Sequence, residues 1–353
     1  MTNSKYTLPA EWHNQACVQL TWPHEDTDWQ PYLDDIVETF VQIAKAVAHY
    51  EPLVIATRDP EAVREELAES LNDEEMGRVT ICPCDNNDTW ARDHAFITLV
   101  DPTDSSAPVR LTDFRFNGWG EKFAADKDNA LNRRLYNAAI YKGTYADAND
   151  FVLEGGSIEG DGNGTVLTTS QCLLAPHRNQ PMTKAEIEQR LKDALGVDRV
   201  LWLDHGNLTG DDTDGHIDTL ARFCSPDTIA YVAPPEDEND EDYYDFCMME
   251  DELKAFRTKN GEPYKLVPLP YLSYELDGEP QPATYANFLI MNKAVLVPVY
   301  GLPTDEAALS ALRAVFTDRE VVGIDCRPLV QQHGSLHCVT MQYPAGFFLP
   351  TRK

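Results

Sequence analysis

The chain has 353 residues with ordinary apolar and charged fractions, so it can bury a substantial core as one large domain or as two smaller ones. Its formal net charge is −30, which argues against nucleic acid and anionic membranes as partners, because both are polyanions, and which favours a cationic substrate. The sequence has neither an apolar run long enough to span a membrane nor a signal-peptide pattern at its start, so we expect a cytoplasmic protein.

Five pairs of a helix followed by a strand are predicted along the chain. In the first helix, apolar residues recur on one face, as in an amphipathic helix. In the third, Thr183 and Glu186 form a capping box, and Gly196 marks the end. The pairs, helix first, are 33–49 with 52–56, 129–141 with a strand before residue 154, 183–195 with 199–203, 246–258 with 265–269, and 305–316 with 320–325.

Further short strands are predicted between these pairs. They cover residues 166–174 and 288–299, and Asn292-Lys293 interrupts the second as a hairpin turn would. The helices start at uneven intervals, so the repetition is structural at best. The pattern agrees equally well with five related units and with an ordinary α/β domain of alternating elements.

Acidic residues and cysteines have ordinary explanations in most places. The densest acidic run, residues 236–242, is expected to be an exposed loop. A solvated acidic surface explains the net charge better than substrate attraction does, and salt adaptation is left open. The eight cysteines are expected to be reduced and mostly packed as small apolar side chains. The close pair Cys82 and Cys84 lacks a second pair at zinc-site spacing, so it is interpreted as structural.

Several segments carry more polar chemistry than a core or a turn requires, and two of them match in position. His216 follows the end of one predicted strand, Leu203, by thirteen positions. Cys338 follows the end of another, Asp325, by the same number. If the units are related, both residues come from equivalent loops and can meet on one axis. The four polar segments are residues 87–93, 154–157, 210–218 and 333–338.

Cys338 and His216 surrounded by carboxylates suggest a thiol that acts on a guanidinium. A cysteine nucleophile needs a thiolate and a proton-transfer partner, which is usually histidine. Carboxylates raise a thiol pKa, so they are useful only if the substrate brings positive charge. A planar guanidinium donates paired N–H bonds to carboxylate oxygens, and Asp88 and Asp218 are the candidates to hold it.

Two other interpretations remain open from the residues alone. A single cysteine is more often a packed core residue than a nucleophile. Histidines and carboxylates also bind metals, and His216, Asp218, His333 and His337 are plausible ligands. The chain has no His-Glu-x-x-His pattern and no paired cysteines at zinc spacing, which makes a metal site the weaker interpretation.

Taken together, these segments resemble the agmatine deiminase family, to which the bacterial-type peptidylarginine deiminases are related. The resemblance runs nearly end to end, and the order of the segments makes it specific. The matching segments are PAEW (9–12), TWPH (21–24), NDTWARD (87–93), FNGWG (116–120), LEGGS (153–157), DTDGHID (212–218) and HCVT (337–340).

The resemblance implies an α/β pentein propeller, five ββαβ-type modules around a pseudo-five-fold axis, as a single catalytic domain over residues 1–353. It implies that Cys338 is the nucleophile, that His216 is the general acid and base, and that Glu154 orients His216. Asp88 and Asp218 are then guanidinium ligands, and Trp90 and Trp119 line the channel. The implied reaction converts agmatine to N-carbamoylputrescine and ammonia through a thiouronium adduct on Cys338, a step of putrescine and polyamine biosynthesis. No cofactor or metal is needed, and a homo-oligomer is compatible with the sequence.

The sequence also departs from the family pattern, and rivals follow from this. Gly334-Ser335-Leu336 stands where the family commonly has Gly-Gly-Asn, and Thr284 to Asn287 varies the usual Ser-Tyr-x-Asn. These departures concern the part of the pocket that recognises the far end of the substrate. A deiminase of free or peptidyl arginine, an amidinotransferase and a non-catalytic pentein therefore remain alternatives. Arg115 is a candidate for binding an α-carboxylate.

The crowded acids lead to one expectation about ionisation. Asp88, Glu154 and Asp218 raise the pKa of a neighbouring thiol, and a protonated His216 offsets only part of this effect. We therefore expect Cys338 to be a neutral thiol in the free protein and to ionise when the cation binds.

Overall fold

The computed structural model describes residues 5–347, which form an α/β structure. The strands are β1 Gln15–Thr21, β2 Leu53–Thr57, β3 Val79–Pro83, β4 Ile97–Leu99, β5 Arg110–Arg115, β6 Thr144–Val152, β7 Glu159–Gly160, β8 Thr165–Thr169, β9 Arg199–Leu203, β10 Ala221–Ser225, β11 Thr228–Val232, β12 Lys265–Leu269, β13 Tyr274–Leu276, β14 Glu279–Gln281, β15 Leu289–Ile290, β16 Ala294–Val299, β17 Glu320–Asp325 and β18 Thr340–Pro344.

The helices range from single turns to five turns. They are α1 Leu33–Tyr50, α2 Pro60–Ala68, α3 Asp73–Met76, α4 Ala91–His94, α5 Gly118–Glu121, α6 Asp126–Asn129, α7 Leu131–Asn137, α8 Ser170–Leu173, α9 Lys184–Leu195, α10 Tyr243–Ala255, α11 Asp305–Val315 and α12 Arg327–Val330. In residues 5–347, no helix combines the length and the apolar character that crossing a bilayer requires.

The strands of the described residues form five small sheets with one plan, and β13 and β14 form a separate hairpin. In each sheet an antiparallel pair is followed, after a helix, by a strand parallel to the second. The sheets are β18-β1-β2-β3, β4-β5-β6, β7-β8-β9, β10-β11-β12 and β15-β16-β17. The first joins both ends of the chain because β1 pairs with β18. This is a pentein α/β propeller, as predicted.

Helices with strong sequence signals lie where they are predicted. α1 buries Ile36, Phe40 and Ile43 on its inner face. At α9, Thr183 and Glu186 make both bonds of the capping box, and Gly196 adopts the left-handed conformation that ends the helix. The hairpin around residues 292–293 is also confirmed, because β15 and β16 pair antiparallel.

Three predicted boundaries of helices and strands are wrong. The strand predicted to reach residue 174 ends at Thr169, because its hydroxyl accepts the Cys172 backbone N–H and starts α8. α7 is shorter than predicted and ends at Asn137. α10 begins three residues before the predicted start, and Asp242, which precedes it, is buried and accepts a hydrogen bond from the Thr209 hydroxyl. The acidic run is thus a loop whose last member faces inwards.

The site lies where the loops after the parallel strands converge. β9 ends at Leu203 and β17 at Asp325, so His216 and Cys338 do come from equivalent loops of two units. The other three units contribute a loop each, which contacts these two. The loops after β3, β6 and β12 carry Asp93, Glu154 and Asn287, respectively.

Candidate active site

Cys338 is buried and fixed by an amide. The side-chain oxygen of Asn287 accepts from the backbone N–H of His337 at 2.8 Å and from that of Cys338 at 3.2 Å. The same oxygen lies 3.3 Å from the Cys338 sulfur, which can donate its proton to it. Asn287 was not predicted as a site residue, since an amide gives no titratable signal. It sets the position of the sulfur without adding charge.

The surroundings keep the Cys338 thiol neutral. Burial and the carboxylates of Asp218 and Asp93 raise its pKa well above the ordinary value. The Cys338 side chain is only slightly exposed, so solvent does not offset this effect. A bound cation would reverse the sign of the local field.

The surroundings of His216, in contrast, favour its charged form. Burial opposes its charge, but Asp93, Cys172 and Asp218 outweigh it, and the pKa of His216 is raised well above its usual value. Its Nδ1 lies 3.7 Å from an oxygen of Asp93. An imidazolium in this position is a proton donor for a leaving nitrogen.

Glu154 has one oxygen free beside His216. Its Oε1 accepts from the Arg178 guanidinium at 2.7 Å. Its Oε2, like Nε2 of His216, has no hydrogen-bond partner among the described residues. One ligand atom each from Glu154, Cys172 and His216 lie within 4.8 Å of one another. Glu154 is therefore close enough to orient the ring.

Arg178, which was also not predicted, connects two of the loops. Besides Glu154, it binds the Asp214 carboxylate at 2.6 Å and the carbonyl oxygen of Thr213 at 2.9 Å. Its side chain is buried. The guanidinium therefore ties the loop after β6 to the loop that carries His216.

Asp93 is the site carboxylate that the sequence analysis missed. One oxygen accepts from the backbone N–H of Gly156 and the other from the Trp119 indole, each at 3.0 Å. Burial raises its pKa to about 6, although His216 opposes the shift. Asp93 belongs to the same predicted segment as Asp88, and spacing alone does not show which aspartate faces His216.

Three charged side chains converge on Gly156. A Cβ added to this glycine would lie 2.5 Å from Nδ1 of His216, 2.9 Å from an Asp93 oxygen and 3.2 Å from an Asp218 oxygen. Only glycine leaves room for this approach. The segment 154–157 therefore contributes close packing as well as a carboxylate.

Asp218 is fully buried, and only one of its two oxygens is hydrogen-bonded within the described residues. Its Oδ2 accepts from Nδ1 of His337 at 2.7 Å, whereas its Oδ1 has no hydrogen-bond partner among residues 5–347. Burial opposes ionisation, but His337, His216 and Arg222 overcome it, and the pKa of Asp218 is lowered. It is thus an ionised carboxylate that can still accept a bond.

A cavity opens onto Cys338, and its walls are acidic and aromatic. The described lining has four carboxylates and neither lysine nor arginine. Glu154, His216 and Asp218 are buried and not part of this lining, but His216 and Asp218 lie next to Asp93, which is part of it. The acids are Asp28, Asp88, Asp93 and Asp212, and the aromatic residues are Trp90, Trp119 and Phe123.

Asp88 and Arg115 differ from the expectations in their surroundings. Asp88 lines the cavity, but its Oδ1 accepts from the Trp29 indole at 2.9 Å and from the Thr89 backbone at 2.8 Å instead of contacting the His216 loop. Burial raises its pKa to about 6. Arg115 is exposed at the end of β5 and does not belong to the lining.

Trp119 reaches Asp93 from a left-handed turn. All four residues of α5 have positive φ, and Trp119 itself has φ 55° and ψ 49°. A non-glycine residue costs about 1–2 kcal/mol in this region, and such strain concentrates at functional sites. The turn directs the indole N–H to the carboxylate.

The four side chains considered as metal ligands do not form one group. Nδ1 of His333 lies 2.9 Å from the Gly210 carbonyl oxygen, whereas His337 bonds to Asp218. The described residues that do come close, Glu154, Cys172 and His216, include a carboxylate already paired with Arg178. The arrangement suits proton transfer.

A buried cysteine, a charged histidine and ionised carboxylates at the centre of five ββαβ units define a guanidine-modifying pentein. The model of the Porphyromonas-type peptidyl-arginine deiminase family matches residues 7–344, and the chain belongs to that family.

The chain is similar to solved and curated proteins over nearly its whole length. A putative arginine deiminase structure from Porphyromonas gingivalis is 50% identical, with a TM-score of 0.91 and coverage of 97% of this chain and 99% of that one. A substrate-bound agmatine deiminase variant from C. jejuni is 35% identical, with a TM-score of 0.86 and 96% coverage of both. The agmatine deiminase of Stutzerimonas stutzeri is 31% identical, over 97% of this chain and 96% of the relative.

Proposed function

We propose that the protein hydrolyses agmatine to N-carbamoylputrescine and ammonia. The observation that carries the substrate choice is the cavity wall beside Cys338, with four carboxylates and no lysine or arginine among its described residues. Agmatine has a cation at each end, whereas arginine adds a carboxylate that this wall would repel. The names of the C. jejuni and S. stutzeri relatives support the same substrate.

The first half of the reaction forms an adduct. Asp93 and Asp218 hold the guanidinium, and its charge lowers the thiol pKa so that Cys338 loses its proton to solvent. The thiolate attacks the guanidinium carbon. His216 then protonates one terminal nitrogen, the carbon–nitrogen bond breaks, ammonia leaves, and a cationic thiouronium remains on Cys338.

The second half hydrolyses the adduct. His216, now neutral and oriented by Glu154, takes a proton from water as the oxygen attacks the same carbon. The carbon–sulfur bond breaks, the Cys338 thiolate leaves, and the hydroxyl loses its proton to solvent to give the ureido product. One histidine thus acts first as acid and then as base, and no cofactor takes part.

The remaining residues of the cavity serve binding. Trp90 and Trp119 form aromatic walls suited to a cation and to the flat guanidinium. Asp88 remains a candidate guanidinium ligand. Its place next to Asp28 in the lining equally supports contact with the amine tail.

The same proposal covers organisation and location. We propose one catalytic domain over residues 1–353, of which 1–4 and 348–353 lie outside the described residues. The pairing of β1 with β18 supports this. The eight free thiols suit a reducing compartment, which supports a cytoplasmic location. The proposed product, N-carbamoylputrescine, suits a role in putrescine and polyamine metabolism.

A substrate panel tests the proposal. Purified protein is assayed for ammonia with agmatine, arginine, arginine methyl ester and an arginyl peptide. We expect kcat/KM to be highest for agmatine, and lower for arginine than for its methyl ester, since the ester lacks the repelled carboxylate. Ammonia from arginine or the peptide with agmatine untouched would overturn the choice of substrate.

Charge variants sharpen the panel. Asp212→Asn removes a carboxylate from the cavity wall, so it should raise KM for agmatine and reduce the ratio of kcat/KM for agmatine to that for arginine. Asp237→Asn removes an equal charge from the exposed loop and serves as the matched control. Equal effects of the two variants would indicate general attraction by the net charge instead of recognition in the cavity.

A further inference from the structure

The proposed mechanism leaves a buried group of charged side chains unused behind Asp218. Nε2 of His337 lies 2.8 Å from a Glu11 oxygen, and its Nδ1 lies 2.7 Å from Asp218. Arg222 bonds to the same Glu11 oxygen at 2.7 Å and to Glu159 at 2.9 Å. All five side chains are buried.

The hydrogen-bond directions follow from the chemistry of the carboxylate. An ionised carboxylate only accepts, so Nδ1 of His337 must carry the proton shared with Asp218. Nε2 of His337 accepts from the Arg222 guanidinium at 3.1 Å, and Arg222 also donates to Glu11, so the orientation of the ring is fixed. The hydrogen bonds that run from Glu11 through Arg222 and His337 thus end on Asp218, whose second oxygen has no partner among the described residues.

We propose that Glu11, Arg222 and His337 are positioning residues, which keep Asp218 ionised and turned so that its free oxygen meets the substrate guanidinium. The inference rests on the proposed function, because it assigns Asp218 a role in cation binding. It also gives a role to Glu11, which lies far from Cys338 in the sequence.

The electrostatic surroundings support this assignment. A buried carboxylate without a partner takes up a proton, and a neutral Asp218 would lose its attraction for a cation. The hydrogen bond from His337 is the largest influence that lowers the pKa of Asp218 against burial, and it does not require a charged ring, since burial and Arg222 lower the pKa of His337 itself. The charged and titratable groups that face Asp218 are His337, His216, Arg222, Arg92, Asp93 and Cys338.

A second cavity reaches the group without passing Cys338. Its volume is about 60 Å³, and Glu11, Arg92, Glu159 and His337 are in its wall. It shares no described lining residue with the Cys338 cavity. His337 therefore borders a cavity that is separate from the one in which we place the substrate.

Histidine NMR tests the arrangement without any substrate. In ¹⁵N-histidine-labelled protein at neutral pH, we expect the His337 signals to report a protonated Nδ1. His337→Asn identifies the signals by their loss. An Nδ1 without a proton would overturn the proposal, because Asp218 would then have to be the donor and could not be a carboxylate.

Two substitutions separate the ring nitrogens. The amide of His337→Asn can replace the Nδ1 donor, whereas that of His337→Gln lies near the Nε2 position. We expect KM for agmatine to rise about tenfold or more in H337Q, the loss of one charge-assisted bond, and several-fold less in H337N. The effect on kcat should be smaller than that on KM, since Asp218 binds and does not transfer protons.

The pH profile distinguishes positioning from mere structural support. Without His337 the pKa of Asp218 rises, so the acid limb of kcat/KM should move to higher pH. The limb should also become steeper, because Asp218 and Asp93 are then protonated over the same pH range. Glu11→Gln should move the acid limb in the same direction by a smaller amount, because Glu11 raises the pKa of His337, and His337 in turn lowers that of Asp218. Glu51→Gln, another buried glutamate, is the matched control and should leave the limb in place.

The outcomes keep the two proposals apart. Wild-type protein that releases no ammonia from agmatine refutes the proposed function, whereas the NMR result still decides the state of His337. An active wild type whose H337Q variant keeps its KM and acid limb overturns the positioning role. If H337Q does not fold, E11Q and the NMR measurement decide.

Discussion

His216 and Cys338 each lie thirteen residues beyond the end of a strand, but the two residues are held in different ways. The His216 loop is held by charges: Arg178 binds Asp214, and the Asp211 carboxylate accepts the Gly215 backbone N–H at 2.7 Å. Cys338 itself is held by the neutral Asn287 amide, and Ser335 in the same loop by a 2.8 Å bond to the Tyr300 hydroxyl, whereas the charged contacts of this loop are made by His337.

The difference matches what each residue needs. A proton donor benefits from carboxylates that stabilise its charge, and His216 has Asp93 and Asp218 near it. A nucleophile that waits for a cationic substrate gains from anchors that add no fixed positive charge. The two loops therefore set opposite ionisation states while placing both side chains beside Asp218.

The largest expected effect comes from the nucleophile. Cys338→Ser should abolish measurable ammonia release, since a hydroxyl at this position is not activated, while agmatine binding measured by calorimetry persists through the carboxylates. Cys247→Ser is the control for loss of a thiol and should remain active. Substantial turnover by C338S would show that Cys338 is not the nucleophile.

The residues that hold the two loops, Arg178 and Asn287, should have the next largest effects when substituted. Arg178→Met leaves the buried Glu154 without its cation, although Asp214 keeps Lys122, so we expect a loss of about 3 kcal/mol in the free energy of unfolding and a fall in kcat of about two orders of magnitude. Asn287→Ala removes only neutral bonds, for which about 1–3 kcal/mol is expected. Chemical denaturation and steady-state kinetics measure both. A larger loss for N287A would contradict the contrast between the loops.

Sequence spacing predicted the parts of the site that depend on regular elements. β9 and β17 end at the residues expected, so the equal distances to His216 and Cys338 were meaningful. Glu154 and Asp218 also lie where their proposed roles require. Their roles remain proposals, but their convergence follows from the repeated ββαβ plan.

What the sequence could not provide depends on irregular backbone. Asp88 and Asp93 are five residues apart in one segment, and only the single turn of α4 decides that Asp93 meets Gly156. Trp119 reaches Asp93 through a left-handed turn that no propensity predicts. Asn287 acts through an amide that lacks a charge signal.

Glycine substitutions compare the loops directly. A Cβ at Gly334 would lie 2.1 Å from the Trp90 ring, so Gly334→Ala should displace this wall and raise KM by about tenfold, a loss near 1.4 kcal/mol. A Cβ at Gly215 meets only the Gln171 side chain at 3.4 Å, but φ is +80°, so Gly215→Ala should cost about 1–2 kcal/mol of stability with a smaller rise in KM. The reverse order of the KM changes would contradict this account.

The smallest expected effect is a shift in the reactivity of Cys338. In a Cys247→Ser background, alkylation by iodoacetamide followed at the Cys338 peptide should report a pKa above that of a free cysteine, because burial, Asp218 and Asp93 all raise it. The reaction should therefore be slow at neutral pH and accelerate only as pH rises.

Asp93→Asn removes one negative charge, so the pH profile of alkylation should move to lower pH. Millimolar guanidinium should move it the same way by occupying the carboxylates. A pKa well below that of free cysteine in the unliganded protein would instead indicate a preformed thiolate–imidazolium pair, and the neutral anchoring of the Cys338 loop would then need another explanation.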